Sequence, residues 1–210
     1  MTEPPHARFQ NAGQSCISAK RFIVVDAVAD EFEERLVAEA RRIRLGDPES
    51  PDTQMGPLAR ADLRENLERQ LGESQRAGAL LRTGGVRPDR SGFFLEPAVL
   101  TKCDVGMPAF AEETFGPLAA VMRVRNEDEA VEVANQSDFG LGGNVWTRDR
   151  ERGVALAHRI EAGGVFVNGM THSDPRLPFG GVKDSGYGRE LYRTGIHEFV
   201  NIKTVWLPAG

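Results

Sequence analysis

One cysteine in this sequence has the surroundings of a reactive thiol. Cys16 ends the segment Phe9-Gln10-Asn11-Ala12-Gly13-Gln14-Ser15-Cys16 and precedes a β-branched run. The small residues before it let the backbone bend and a ligand approach closely. A thiolate attacks carbonyl carbons, and a neighbouring backbone N–H can stabilise the oxyanion that forms. A lone cysteine is more often a small buried hydrophobic residue, and we apply that interpretation to Cys103.

A second segment with chemical potential is Glu112-Glu113-Thr114-Phe115-Gly116-Pro117. A carboxylate can accept hydrogen bonds from a ribose diol, and an aromatic face can pack on a nicotinamide ring. By itself the pattern is weak, because an acidic loop before a turn is usually solvated surface.

A third segment is rich in glycine: Pro178-Phe179-Gly180-Gly181-Val182-Lys183-Asp184-Ser185-Gly186-Tyr187-Gly188-Arg189-Glu190. Its Gly-Tyr-Gly triplet invites comparison with a dinucleotide-binding fingerprint. The comparison fails, because no predicted strand leads into the triplet and the third glycine of the fingerprint is absent.

The composition and net charge of the chain exclude several classes of binding partner. The chain has 210 residues, 40% of them hydrophobic, with a net charge of −5. Nucleic acid or an anionic membrane would need a concentrated positive face, so neither is expected. No apolar stretch approaches the roughly 20 residues of a membrane-spanning helix, and the first eight residues lack the apolar core of a signal peptide, so we expect a cytoplasmic protein. The four histidines are dispersed, and we expect no metal site.

The elements that must position these segments alternate between short strands and amphipathic helices, which predicts an α/β fold with a mostly parallel sheet flanked by helices. The predicted strands are 20–25, 79–83, 93–100, 118–124, 144–147 and 164–168, and the predicted helices are 26–43, 58–77, 127–136, 149–160 and 189–194. Asp26 is the expected cap of the first helix. The weakly alternating run 200–207 reads as a strand that pairs with another subunit.

Taken in order, these segments resemble the aldehyde dehydrogenase superfamily from Phe9 to Leu207. FQNAGQSC is similar to the family's catalytic-cysteine segment, EETFGP to its cofactor loop, GGVFVNG to the strand under the active site and PFGGVKDSGYGRE to its C-terminal signature. The order and content look closest to succinate-semialdehyde dehydrogenases, particularly the bacterial NAD-linked kind. The resemblance implies a remnant N-terminus at 1–8, a catalytic domain at 9–199 and an oligomerisation strand at 200–210.

The resemblance also implies roles for single residues. Cys16 would attack the aldehyde, pass hydride to NAD or NADP as a thiohemiacetal, and hold the acyl group as a thioester until water releases it. Its own N–H would form half of the oxyanion hole. Glu113 would bind the nicotinamide ribose and Phe115 would support the nicotinamide ring, while Ser173 would contact the distal carboxylate of the substrate and Phe179 would wall its tunnel.

Two departures from the family pattern affect these expectations. Several members of the branch place an arginine after the phenylalanine of the cysteine motif, where it binds the distal carboxylate, but this sequence has Gln10. Arg176 is a candidate substitute, although a plain surface arginine is the simpler interpretation. In the family a dinucleotide-binding domain and a Glu-Leu-Gly-Gly-Lys segment with the general base precede the cysteine, and neither precedes Phe9 here.

We therefore expect this chain alone to bind NAD(P) poorly and to be inactive as a dehydrogenase. Two alternatives stay open. The chain could be one part of a split enzyme, whose partner supplies the cofactor domain, or a cysteine-dependent esterase that needs no nucleotide. A homo-oligomer acting on a small aldehyde is the expected assembly of the full enzyme.

Overall fold

A four-stranded sheet forms the centre of the protein, for which a computed structural model describes residues 7–210. Most of the remnant predicted at 1–8 thus lies outside the described residues. The described residues form eight strands: β1 (Arg21–Val25), β2 (Leu80–Thr83), β3 (Ala98–Thr101), β4 (Leu118–Val124), β5 (Phe139–Gly140), β6 (Gly142–Val145), β7 (Gly164–Val167) and β8 (Val182–Lys183). In the central sheet the order is β1-β4-β3-β2, with β1, β4 and β3 parallel and β2 antiparallel at one edge.

Helices cover both faces of this sheet. They are α1 (Asp26–Arg42), α2 (Ala61–Arg76), α3 (Pro108–Ala111), α4 (Glu127–Asn135), α5 (Arg150–Ala157) and α6 (Tyr192–His197). Side chains alternate along β1. Phe22 packs on Phe32 of α1, with ring centroids 5.8 Å apart, whereas the guanidinium of Arg21 donates to the carbonyls of Val133 and Ala134 in α4. The predicted fold class, a mostly parallel sheet flanked by helices, is confirmed.

A buried carboxylate fixes α1 across the central sheet. Glu33 is 2% exposed, and its oxygens accept hydrogen bonds from Arg123 of β4 at 2.7 and 2.8 Å and from Arg82 of β2 at 3.1 Å. Removing one partner of such a buried ion pair leaves an uncompensated charge, which typically costs about 3–5 kcal/mol. The cluster therefore ties the helix to the edge and the middle of the sheet.

The C-terminal part of the chain forms two smaller sheets and an exposed tail. β6 pairs with β7 in parallel, and β5 pairs with β8 antiparallel. Residues 198–210 form no strand within this chain, and the tail exposes several large apolar side chains, with Phe199 89% exposed. Pairing of 200–207 with another subunit stays a prediction. Among the described residues, none of the helices is long and apolar enough to cross a membrane.

Several predicted elements differ from the structure in their bounds, among them the helix predicted at 58–77 and the strand predicted at 144–147, and three of the differences have identifiable reasons. Asp26 is the first residue of α1 rather than its cap, and Val25 occupies the capping position without a side-chain hydrogen bond. The strand predicted at 93–100 is reduced to β3, because Pro97 has no N–H to donate to a ladder. The last helix starts at Tyr192 rather than 189, because Glu190 is held extended by two backbone hydrogen bonds to Phe179.

Candidate active site

The parallel pairing of β1 with β4 brings the cysteine segment and the acidic segment together. Arg21 lies opposite Ala120 in the ladder, so the residues that precede both strands enter the sheet at the same edge. The two segments are called here the nucleophile segment (residues 8–20) and the acidic segment (residues 112–116). They meet at the amino ends of the strands, whereas ligands of open parallel sheets usually bind at the carboxyl ends.

Direct contact between the two segments depends on a glycine. Gly13 has φ +70°, and a Cβ built on it would lie 2.2 Å from the carbonyl oxygen of Gly116. No other residue type could bring the two backbones so close. Arg8 supplies a second connection, because its guanidinium donates to the carbonyl of Thr114 at 2.7 Å and to that of Gly116.

Cys16 lies exposed in a turn of the nucleophile segment, where Ser18 N donates to Ser15 O at 3.0 Å. Within residues 7–210, no acceptor takes a hydrogen bond from the backbone N–H of Cys16. The thiol and a potential oxyanion donor are therefore both accessible at one residue. Cys103 differs, since it is 6% exposed and burial raises the pKa of its thiol to about 12. Its thiolate form is suppressed at neutral pH.

The backbone leading to Cys16 is held in an uncommon conformation. Asn11, Ala12 and Gly13 all have positive φ, at 52°, 55° and 70°. The left-handed region costs an L-residue roughly 1–2 kcal/mol, so the surroundings must hold this turn in place. Part of that support comes from Gln14, whose side-chain amide donates to Asn11 O and accepts from Ala59 N at 2.9 Å. Strain of this kind is concentrated at functional sites.

The two carboxylates of the acidic segment have different surroundings. Glu112 accepts hydrogen bonds from Arg69 at 2.5 Å and Gln70 at 3.0 Å, and both lower the pKa of its carboxyl group. The carboxylate of Glu113 is exposed and makes no hydrogen bond or ion pair within the described part of the chain. Glu113 is thus the one free to accept from ligand hydroxyls, and Phe115 lies half-buried beside it. These residues fit the nicotinamide riboside end of NAD(P).

A small depression next to Cys16 joins the nucleophile segment to the second parallel sheet. Gln10 and Ser15 line one side, and Asn144 of β6, Met170 and Thr171 line the other. The structure therefore brings Gln10 close to the loop that follows β7. Ser173 and Phe179 do not line this depression. Ser173 is exposed, and Phe179 is half-buried with its backbone bound to Glu190, so their predicted substrate contacts stay predictions.

Arg176 is already paired. Its guanidinium binds both oxygens of Asp174, the closest contact being 2.6 Å, and its backbone N–H donates to the same carboxylate. These contacts hold the pKa of Asp174 well below its usual range. The Arg176 side chain is 85% exposed, which favours the surface-arginine interpretation over a substrate-binding cation.

Four residues that shape this site were not predicted from the sequence: Arg8, Lys20, Gln70 and Asn144. The ammonium of Lys20 donates to the carbonyl of Glu112, and the amide of Asn144 donates to Gly169 O at 2.7 Å. Gln70 donates to the backbone carbonyl of Glu113 at 3.0 Å. Their acceptors include backbone carbonyls far away in sequence, which leave no residue pattern to detect.

Known proteins are similar to this chain over nearly all of its length. Residues 4–205 match the aldehyde dehydrogenase family. A succinate-semialdehyde dehydrogenase [NADP(+)] 1 of Mycobacterium tuberculosis is 53% identical over 200 residues, which are 95% of this chain and 44% of the relative. The curated relative is thus named for NADP(+), whereas the sequence motifs favoured the NAD-linked kind.

Solved structures show the same similarity. Succinic semialdehyde dehydrogenase from Streptococcus pyogenes, in complex with NADP+, superposes with a TM-score of 0.95 at 39% identity, over 98% of this chain and 45% of that one. Betaine aldehyde dehydrogenase from Staphylococcus aureus, in complex with NAD+, gives a TM-score of 0.91 at 35% identity, over 94% and 40%. The chain therefore spans less than half the length of these relatives. With a family match over nearly all of its residues and the expected segments in contact, this chain belongs to the aldehyde dehydrogenase family.

Proposed function

We propose that this chain supplies the cysteine-bearing part of an NAD(P)-linked dehydrogenase that oxidises succinate semialdehyde to succinate. The observation that carries the proposal is the contact of the nucleophile segment with the acidic segment through Gly13 and Gly116. That contact joins the segment that carries the exposed thiol of Cys16 to the segment that carries Glu113 and Phe115. The names of the M. tuberculosis and S. pyogenes relatives support the substrate.

The proposed chemistry starts at Cys16. Its thiolate attacks the aldehyde carbon, a C–S bond forms, and the carbonyl oxygen takes up the electron pair of the broken π bond. The Cys16 N–H donates to this oxyanion. NAD(P), when bound, would supply the hydride acceptor that the oxidation needs, and Glu113 and Phe115 would hold its nicotinamide riboside end. Cys16 then carries a thioester, and attack by water releases the acid and restores the thiolate.

The distal carboxylate of the substrate would meet Gln10. The side-chain amide of Gln10 is exposed at the depression beside Cys16 and can donate hydrogen bonds without supplying a charge. An arginine would present a full positive charge and two parallel N–H donors to this carboxylate, whereas the glutamine amide presents one neutral donor group. We therefore propose that Gln10 binds the distal carboxylate of the semialdehyde more weakly than an arginine at this position would.

We further propose that the 210-residue chain does not reduce NAD(P) unaided. The free carboxylate of Glu113 and the ring of Phe115 could contact only the nicotinamide end of the dinucleotide. A phosphate site would need a strand that leads through a glycine-rich loop into the N-terminus of a helix, and residues 7–210 contain no such arrangement. The fraction of the relatives' length that the chain spans favours a protein in which further residues supply the cofactor site, either in the same polypeptide or in a partner.

Two assays on the purified chain test these statements. Cys16 should give a burst of product from an activated ester, and the Cys16→Ser variant should abolish it, with Cys103→Ser as the matched control that keeps it. A burst that persists in Cys16→Ser would contradict the assignment of the nucleophile. Reduction of NADP+ with succinate semialdehyde should be undetectable, and robust turnover by the 210-residue chain would overturn the second statement. A burst followed by continuous turnover of ester would favour the esterase alternative.

A further inference from the structure

Two cations from the nucleophile segment bind alternate carbonyls of the acidic segment. Lys20 donates to the carbonyl of Glu112, and Arg8 donates to those of Thr114 and Gly116. We propose that Arg8 and Lys20 form a carbonyl clamp that holds the acidic segment against the nucleophile segment, and so presents Glu113 and Phe115 for hydride transfer. The inference rests on the proposed function, and it makes both cations positioning residues.

The spacing of the bound carbonyls shows how the clamp works. Both cations belong to the nucleophile segment, so the carbonyls of residues 112, 114 and 116 all face that segment. On the other side, Gln70 of α2 donates to the carbonyl of Glu113 at 3.0 Å. The acidic segment is therefore held between the nucleophile segment and α2. Within the segment held in this way, Thr114 is 3% exposed whereas its neighbour Glu113 is exposed.

The clamp is unusual as a structural device, because Arg8 is buried, Lys20 is half-buried, and both cations bind neutral carbonyls. Arg8 is 1% exposed, and within the described chain it makes no ion pair. Burial lowers the pKa of Arg8 to about 9 and the pKa of Lys20 to about 8. The positive charge of Arg21 also lowers the pKa of Lys20, whereas the carboxylates of Glu112 and Glu113 oppose this shift. Taking a charge out of water without a counter-ion costs stability.

Unpaired polar atoms border the same segment. Arg8 Nε, Gln70 Oε1 and Thr114 Oγ1 are buried and have no hydrogen-bond partner among the described residues. Buried polar atoms are normally paired, and exceptions are concentrated where function requires a geometry that stability alone would not select. An apolar side chain at residue 8 would avoid the cost of the buried charge. What the arginine provides instead is a fixed distance between the two segments.

The clamp predicts a separation between thiol chemistry and cofactor chemistry. Loss of Arg8 frees the carbonyls of the acidic segment but leaves Cys16 in its own turn, which Ser15 and Ser18 close. The cofactor side of the site should therefore deteriorate more than the thiol side. A residue that only stabilises the fold would affect both sides together.

The experiment compares Arg8→Met, Arg8→Lys and Lys20→Met with Arg87→Met, a control that removes an arginine bound to Glu68 on the surface. Amide hydrogen exchange is followed at Glu112 and Leu118, which bracket the acidic segment, and at Val99 and Leu100 in β3. Arg8→Met should accelerate exchange at the first pair by at least about tenfold, the equivalent of 1.4 kcal/mol, without a matching change in β3. Arg8→Lys should be intermediate, since an ammonium can still reach one carbonyl.

The second measurement uses the longer polypeptide or complex that supplies the cofactor site and reduces NADP+. In it, Arg8→Met should raise KM for NADP+ by about tenfold or more, while the Cys16 ester burst falls by a smaller factor. If Cys16→Ser keeps the wild-type burst, the proposed function fails whatever the clamp variants show. If the burst depends on Cys16 but Arg8→Met matches Arg87→Met in exchange and KM, the clamp alone is overturned. Should Arg8→Met not fold, Lys20→Met, which keeps Arg8, decides between the same outcomes.

Discussion

Replacing Gly13 by alanine should separate the nucleophile segment from the acidic segment. The new Cβ would lie 2.2 Å from the carbonyl oxygen of Gly116 and 2.5 Å from its carbonyl carbon. Both neighbours are backbone atoms, so one segment has to retreat by roughly 1 Å to restore a van der Waals separation of about 3.5 Å. Overpacking of this kind costs about 1–3 kcal/mol, and a left-handed φ adds about 1–2 kcal/mol for an L-residue.

A matched control isolates the close approach. Gly78 has φ +111°, and no atom lies within 4 Å of a Cβ built on it, so Gly78→Ala bears backbone strain without a clash. Urea unfolding at an unchanged m-value should show that Gly13→Ala loses about 1–3 kcal/mol more than Gly78→Ala. The Cys16 ester burst should fall in Gly13→Ala alone. Equal losses of stability in both variants, together with a preserved burst, would refute the contact on which the proposed site depends.

Three further predictions concern single side chains. In the longer polypeptide or complex that reduces NADP+, Glu113→Gln should raise KM for NADP+, and Glu112→Gln should change it little. In the 210-residue chain, Glu113→Gln should change the unfolding free energy by less than about 0.5 kcal/mol, whereas Glu112→Gln should cost up to about 1 kcal/mol; the reverse pattern would contradict the assignment of the free carboxylate. Iodoacetamide should alkylate Cys16 in the folded chain but Cys103 only after denaturation, because burial raises the pKa of the Cys103 thiol to about 12. Mass spectrometry of the two cysteine peptides measures the labelling, and equal labelling of both in the folded chain would contradict the prediction. Glu33→Gln should destabilise the fold by about 1.5–3 kcal/mol in urea unfolding, since Arg82 loses its counter-ion and Arg123 keeps only Asp30; a loss below about 0.5 kcal/mol would count against a buried ion cluster.

The hydrophobic pattern predicted the central elements because their packing is local and periodic. The bounds of β4 agree with the predicted 118–124, and α1 differs by only one residue from the predicted helix. Prediction failed where a single contact overrides the pattern. Phe94 and Leu95 are buried as a strand pattern requires, yet the ladder begins only at Ala98, after Pro97. Leu191, with φ +63°, marks the irregular entry to the last helix, which no local propensity indicates.

The candidate site was only partly predictable. Chemical type identified Cys16, Glu113 and Phe115, because a nucleophile, a carboxylate and an aromatic ring occur in recognisable segments. The distinction between Glu112 and Glu113 was not available from the sequence, since it depends on Arg69 and Gln70 from another element. Arg8 lay in the predicted remnant at 1–8. Its burial reflects hydrogen bonds to the carbonyls of Thr114 and Gly116, which lie 106 and 108 residues further along the chain.

The position of the site explains how such costly features can coexist with a stable fold. The turn at Asn11 and Ala12 is strained, and Arg8 is buried without a counter-ion. Both lie on a segment whose far end is β1, and the acidic segment likewise continues directly into β4. These strands pair over five residues in a sheet whose middle strands are almost completely buried. Burial of apolar side chains in that sheet therefore stabilises the edge at which the two segments meet. The contact between Gly13 and Gly116 and the carbonyl clamp need only set the final distance between the segments.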